Sequence, residues 1–140
     1  MAVVLADGGT REEATAALDT SLDDADPIGA IERVFAAESA AFAQPEVLER
    51  TLPHPAADLP GADVLGFRVT DRAVHTWDLA LATGQDEALD PGVLEVVWGG
   101  VEPMLPMLGS IGVFGDGPSG ELADDADLQT KVLDALGRRP

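Results

Sequence analysis

The sequence predicts an all-α protein, and three observations carry that expectation. Ala, Leu and Glu are abundant while Tyr is absent and aromatics make up only 4% of the chain, a composition that favours helix over sheet. Apolar residues recur with helical spacing behind good capping residues. Proline and glycine punctuate these stretches, leaving short connections that make sequential helices antiparallel neighbours in an up-down four-helix bundle.

Each element follows from local chemistry. Met1–Ala6 reads MAVVLA and runs into Asp7-Gly8-Gly9, a helix stop. So short a run does not nucleate a helix alone. It reads either as the last turns of a helix whose start is missing or as an apolar arm docked on the core. Thr10 caps a short helix with Glu12 and Glu13 in its first turn, running to about Leu22 and ending in Asp23-Asp24. Asp26 caps the next helix, with Pro27 at its favoured first position. Ile28, Ile31, Val34, Phe35 and Phe42 form its apolar stripe, and Pro45 stops it. Pro53, Pro55 and Pro60 make the following segment irregular, with Val47–Leu52 extended. Ala62–Thr83 is free of proline and apolar, and Gly84 ends it. Asp90-Pro91 opens a helix through Val93, Val97, Val101, Met104 and Leu108, which Pro103 and Pro106 kink or shorten. Gly109–Gly120 reads as a glycine-rich loop. Asp125 or Asp127 caps a final helix through Leu128, Val132, Leu133 and Leu136, closed by Gly137.

Length and charge bound the function. A chain of 140 residues points to one domain, 1–140, able to bury a real core. With 26 acids against 8 bases the formal charge is −18, and the excess is spread evenly. Unassisted binding to nucleic acid or an anionic membrane needs a basic patch, so both are disfavoured. The sequence has no apolar run of membrane-spanning length and no visible signal peptide. The absence of Cys removes disulfides, thiolate metal sites and a Cys nucleophile, and fits a cytoplasmic setting.

One constellation could carry chemistry. Asp71, His75 and Asp78 fall within about 60° of one another on the helical wheel. Val64, Phe67 and Ala82 share that stripe, so the face is expected to be buried. Buried charges need partners. A divalent cation is one, because an acid and a His one turn apart suit zinc. An Asp–His hydrogen bond, or pairing with Arg68 and Arg72, is the structural alternative. His54, between Pro53 and Pro55, reads as a solvated loop residue. Ser21, Ser39, Ser110 and Ser119 have no base at a recognisable spacing, and Gly115-Asp116-Gly117 reads as a turn.

The stretch Leu65-Gly66-Phe67-Arg68-Val69-Thr70-Asp71-Arg72-Ala73-Val74-His75-Thr76-Trp77-Asp78-Leu79-Ala80, followed by Ala82-Thr83-Gly84, resembles the third bundle helix of the DinB-like metalloproteins. Within that family it is most similar to the branch of mycothiol-dependent maleylpyruvate isomerase. Ala126–Arg138 resembles the closing helix of that branch, and Asp26–Pro45 its middle segment. The resemblance implies a DinB-like four-helix bundle holding one divalent metal, usually zinc, with Asp71 and His75 as ligands. Asp78 would orient one of them from behind. It also implies mycothiol as a co-substrate, a small-molecule substrate, and isomerase or thiol-transferase chemistry. The family's third ligand is a His in the second helix, upstream of everything here. Met1–Ala6 would then be the tail of that second helix, the bundle would be N-terminally incomplete, and metal affinity would be weak. A face left open in this way would expose apolar surface and favour a homodimer.

Overall fold

The computed structural model describes residues 1–20, 25–112, 114–123 and 125–139. The chain is mostly helical, as the composition and periodicity predict. It divides into two compact units, Met1–Arg68 and Val69–Pro140, with the division falling inside the longest helix.

The first unit opens with α1 (Ala2–Ala6) and α2 (Arg11–Ala16). Five residues make a marginal helix, and tertiary partners sustain this one. Leu5 is fully buried, and the Arg50 guanidinium donates to the carbonyls of Leu5 and Ala6 at the helix end. In α2, Thr10 and Glu13 form a reciprocal capping box. That helix ends earlier than Leu22, and its expected terminus at Asp23-Asp24 lies outside the described residues. Asp26 caps α3 (Pro27–Phe42) as expected, accepting from the Gly29 amide.

Pro45 does not merely stop a helix. It occupies the first turn of α4 (Pro45–Glu49), where its missing N–H costs nothing. The expected extended run at Val47–Leu52 is therefore helical up to Glu49. Extended structure begins at β1 (Thr51–Pro53), which pairs antiparallel with β2 (Asp58–Pro60) in the register Leu52 to Leu59. This hairpin was not expected among prolines. Its ends are held from outside: Arg11 donates to the His54 carbonyl and to Asp58, and the Gly61 amide donates to the Arg50 carbonyl. Gly61 opens α5 (Gly61–Thr83) against α4, where a Cβ would fall 1.9 Å from the Val47 carbonyl oxygen. Leu5, Ala14, Phe42, Val47, Leu52 and Val64 form the unit's core.

The second unit contains the rest of α5, α6 (Pro91–Val101) and α7 (Leu105–Ile111), ending with α8 (Leu128–Ala135). Gly84 takes φ +66° and the Gln85 amide reaches the Ala80 carbonyl at 2.9 Å, a Schellman stop for α5. Pro103 converts the end of α6 into a 3₁₀ turn at Glu102–Met104, the shortening its position predicts. α7 then carries helix through Gly109 and Ser110, so the glycine-rich loop starts later than the sequence suggests. Of the two candidate caps, Asp127 starts α8, accepting from the Thr130 amide. α6 packs on α8, and Val74, Leu94, Val97, Leu108, Val132 and Leu136 form the core. Among the described residues no helix is long and apolar enough to cross a membrane.

Candidate metal site on helix α5

Helix periodicity brings Asp71, His75 and Asp78 to one face of α5, as the sequence predicts. His75 stands between the two carboxylates. Its Nδ1 lies 3.0 Å from Asp78 Oδ2 and its Nε2 lies 3.4 Å from Asp71 Oδ1. The expectation of a buried face is not met. The side chains of Asp71 and His75 are 45% and 63% exposed, and Asp78 is 35% exposed. Val64 on the same stripe is buried but Phe67 and Ala82 are exposed, so the stripe changes character along the helix.

Arg68 donates to Glu38 at 2.8 Å. A guanidinium that the sequence did not single out joins the cluster: Arg138, just after α8, grips Asp78 with two hydrogen bonds of 3.2 and 2.7 Å. Sequence reading missed this residue because it is sixty positions away, and its only local mark is the basic pair after Gly137. The Arg138 hydrogen bonds hold the Asp78 carboxyl below its ordinary value, and the His75 hydrogen bond adds to the effect.

That clamp decides the chemistry of the imidazole. An ionised carboxylate only accepts, so His75 Nδ1 carries the proton and donates it to Asp78. In the neutral ring Nε2 is then a lone pair facing Asp71 Oδ1, another acceptor. A proton or a metal ion would fit between two such acceptors 3.4 Å apart. Ligand atoms bound at zinc's usual distances and tetrahedral angles stand about 3.3–3.4 Å apart. The spacing of Asp71 Oδ1 and His75 Nε2 fits that edge, and a carboxylate with an imidazole is a donor pair zinc accepts. Among the described residues no group of three or more His, Asp or Glu side chains is arranged to hold a metal ion.

His54 belongs to the first unit, in the hairpin loop, with its ring edge toward Phe67 at 6.2 Å between centroids. Burial, followed by the Arg11 charge, lowers it from its ordinary 6.5. A shallow cavity lined by Trp98, Leu105, Leu122 and Lys131 lies in the second unit, and none of its lining residues belongs to the His75 cluster. Ile28, Ile31, Leu79, Val93 and Val96 are exposed apolar side chains.

Comparison with known proteins gives relatives without an assigned role. The chain is 36% identical over 84 residues to uncharacterized protein MT0763 of Mycobacterium tuberculosis strain CDC 1551. The same identity and length relate it to uncharacterized protein Rv0738 of a second strain of that organism. The matched stretch is 60% of this chain and spans 43% of the length of each relative. No protein-family model matches the chain, and no solved structure matches it.

Proposed function

We propose that the chain is a divalent-metal-binding helical domain of the DinB-like kind, with Asp71 and His75 as ligands and zinc as the metal. The observation that carries this reading is the 3.4 Å edge between Asp71 Oδ1 and His75 Nε2, with the other ring nitrogen anchored on Asp78. Metal-ligating imidazoles commonly donate their far N–H to a carboxylate, which fixes the tautomer and strengthens the ligand. Asp78 has that position, and Arg138 fixes Asp78 in turn.

A bound zinc ion supplies Lewis-acid polarisation of a thiol or a substrate oxygen. Asp71 and His75 hold it on an open face of α5, accessible to a small molecule. With no Cys in the chain, the thiol of the proposed isomerase or transferase chemistry comes from a co-substrate such as mycothiol, in the cytoplasm. Two ligands bind weakly, so one chain acting alone is expected to lose its metal on dialysis and to turn over poorly. Calorimetric titration with zinc tests the reading. Binding should occur in the wild type and vanish in His75→Ala and in Asp71→Asn. Equal zinc binding by all three proteins, or by none, would sink it.

A second reading is favoured by the same hydrogen bonds. A protonated His75 bridging Asp71 and Asp78 satisfies the cluster without a metal, and the exposed apolar residues suit a helical interaction module. In that case zinc leaves the protein unchanged, and His75→Gln weakens only the bridge.

A further inference from the structure

The loop joining β1 to β2 contains a hydrogen bond that only one protonation state of His54 can make. The Ala56 amide donates to His54 Nδ1 at 3.2 Å. A ring nitrogen that accepts carries a lone pair, so the neutral ring holds its proton on Nε2. In the imidazolium both ring nitrogens carry protons, and Nδ1 would face the Ala56 N–H donor against donor. We infer that this loop is an acid-released latch, fastened to α2 while His54 is neutral and let go when the ring takes up a proton.

The fastening to α2 is Arg11. Its guanidinium donates to the His54 carbonyl and to the Asp58 carboxylate, so one side chain of α2 holds both ends of the loop. Among the described residues the charged groups that meet the loop are this Arg11 and, from β2, Asp58. From α5 the ring meets the uncharged Phe67, edge to face. Arg11 keeps its charge at every relevant pH. A protonated ring therefore sets a second positive charge beside the one that holds the loop, while the Ala56 amide loses its acceptor. Asp58 is already engaged by Arg11 and is largely exposed, which limits what it can offset. Burial and the Arg11 charge lower His54 from its ordinary 6.5, so the latch is closed at neutral pH and releases as pH falls through the folded value. Every group involved lies in the first unit.

Nuclear magnetic resonance of the full chain from about pH 7.5 to about pH 5 tests the latch. Imidazole nitrogen shifts should assign neutral His54 to the Nε2–H tautomer. As the ring protonates, Ala56 amide exchange, corrected for its intrinsic pH dependence, should quicken about threefold with the same midpoint. Nuclear Overhauser contacts between Arg11 and the loop should fade in step. His54→Asn places a side-chain oxygen that accepts from the amide two residues on and does not titrate in this range. That variant should keep Ala56 protection constant across the series. Arg11→Gln should move the His54 midpoint upward, toward 6.5. A neutral Nδ1–H tautomer, or Ala56 protection that ignores pH in the wild type, would overturn the latch. So would an unchanged acid response in His54→Asn. Arg11 contacts that persist once His54 is protonated would overturn the release from α2.

Discussion

Arg68 and Asp71 stand one turn apart on α5, yet their settings are opposite. Arg68 faces Glu38, whose side chain is 5% exposed, at 2.8 Å. Asp71 faces His75 in largely open surroundings, and that cluster ends on Arg138. One helix thus carries a sequestered ion pair and, a turn later, an exposed set of ligand-type groups. A buried pair is costly to break because the survivor stays desolvated. An exposed cluster is cheap to change and free to meet a ligand. Stability should therefore depend on the first and chemistry on the second.

The largest test of that contrast is Arg68→Ala. It takes the Arg68 guanidinium from the buried Glu38 carboxylate and should cost about 2–3 kcal/mol, less than the roughly 3–5 kcal/mol of breaking a fully buried pair because Arg68 is itself partly exposed. Both tryptophans, Trp77 and Trp98, lie in the second unit. Urea unfolding followed by far-UV circular dichroism should shift more than unfolding followed by Trp fluorescence. Coincident shifts would mean that the two units unfold as one.

Next in size is Arg138→Ala, which frees Asp78. The cluster is partly exposed, so the stability cost should be about 1 kcal/mol. Zinc affinity should fall roughly tenfold, because the imidazole loses its anchored orienting partner. The stability difference has a pH signature. Asp78 titrates below its ordinary 3.8 in the folded chain, so its contribution is present above that value and lost as pH falls through the folded value. Wild type and variant should therefore converge in acid, as midpoints of urea unfolding measured along a pH series would report. A constant gap across that series would remove Asp78 from the account.

His75→Ala sharpens the comparison from the other side. It deletes a side chain that is 63% exposed, so stability should change by less than about 0.5 kcal/mol. A loss above about 2 kcal/mol in urea unfolding would make the cluster structural and erase the contrast with Arg68.

What was legible in the sequence follows the range of the forces involved. Caps act over three residues, so Thr10 with Glu13, Asp26 with Pro27, and Asp90 with Pro91 could be read directly. The Asp71–His75–Asp78 grouping was legible for the same reason, since one helical turn fixes it. Exposure was not. Val64 and Phe67 are both apolar and share a stripe, but one is buried and the other exposed, because that depends on which distant elements arrive to cover them. The hairpin at Thr51–Pro60 escaped for a similar reason, being tied down by Arg11 and by Gly61. Arg138 escaped because nothing local links it to Asp78. The DinB-like resemblance adds the choice of metal to this reading, and the zinc titrations above are its test.

The smallest effect concerns the two histidines, one in each unit. His75 meets two carboxylates, while His54 meets partial burial and the positive charge of Arg11. Both influences on His54 oppose its protonation, so its folded value lies below the ordinary 6.5. The unfolded chain then binds more protons than the folded chain in the window just below 6.5, and stability rises with pH there. The His54 contribution is complete above 6.5 and is lost as pH falls through the folded value. Wild type should show a shallow decline in urea midpoint on acidification from pH 7 toward pH 5, and His54→Gln should flatten it. His75→Ala should leave that particular slope in place, because burial and the Arg11 charge lower His54 and His75 is not among the causes. A slope that survives His54→Gln and disappears in His75→Ala would reverse the assignment, making the exposed cluster the proton-linked element of the fold.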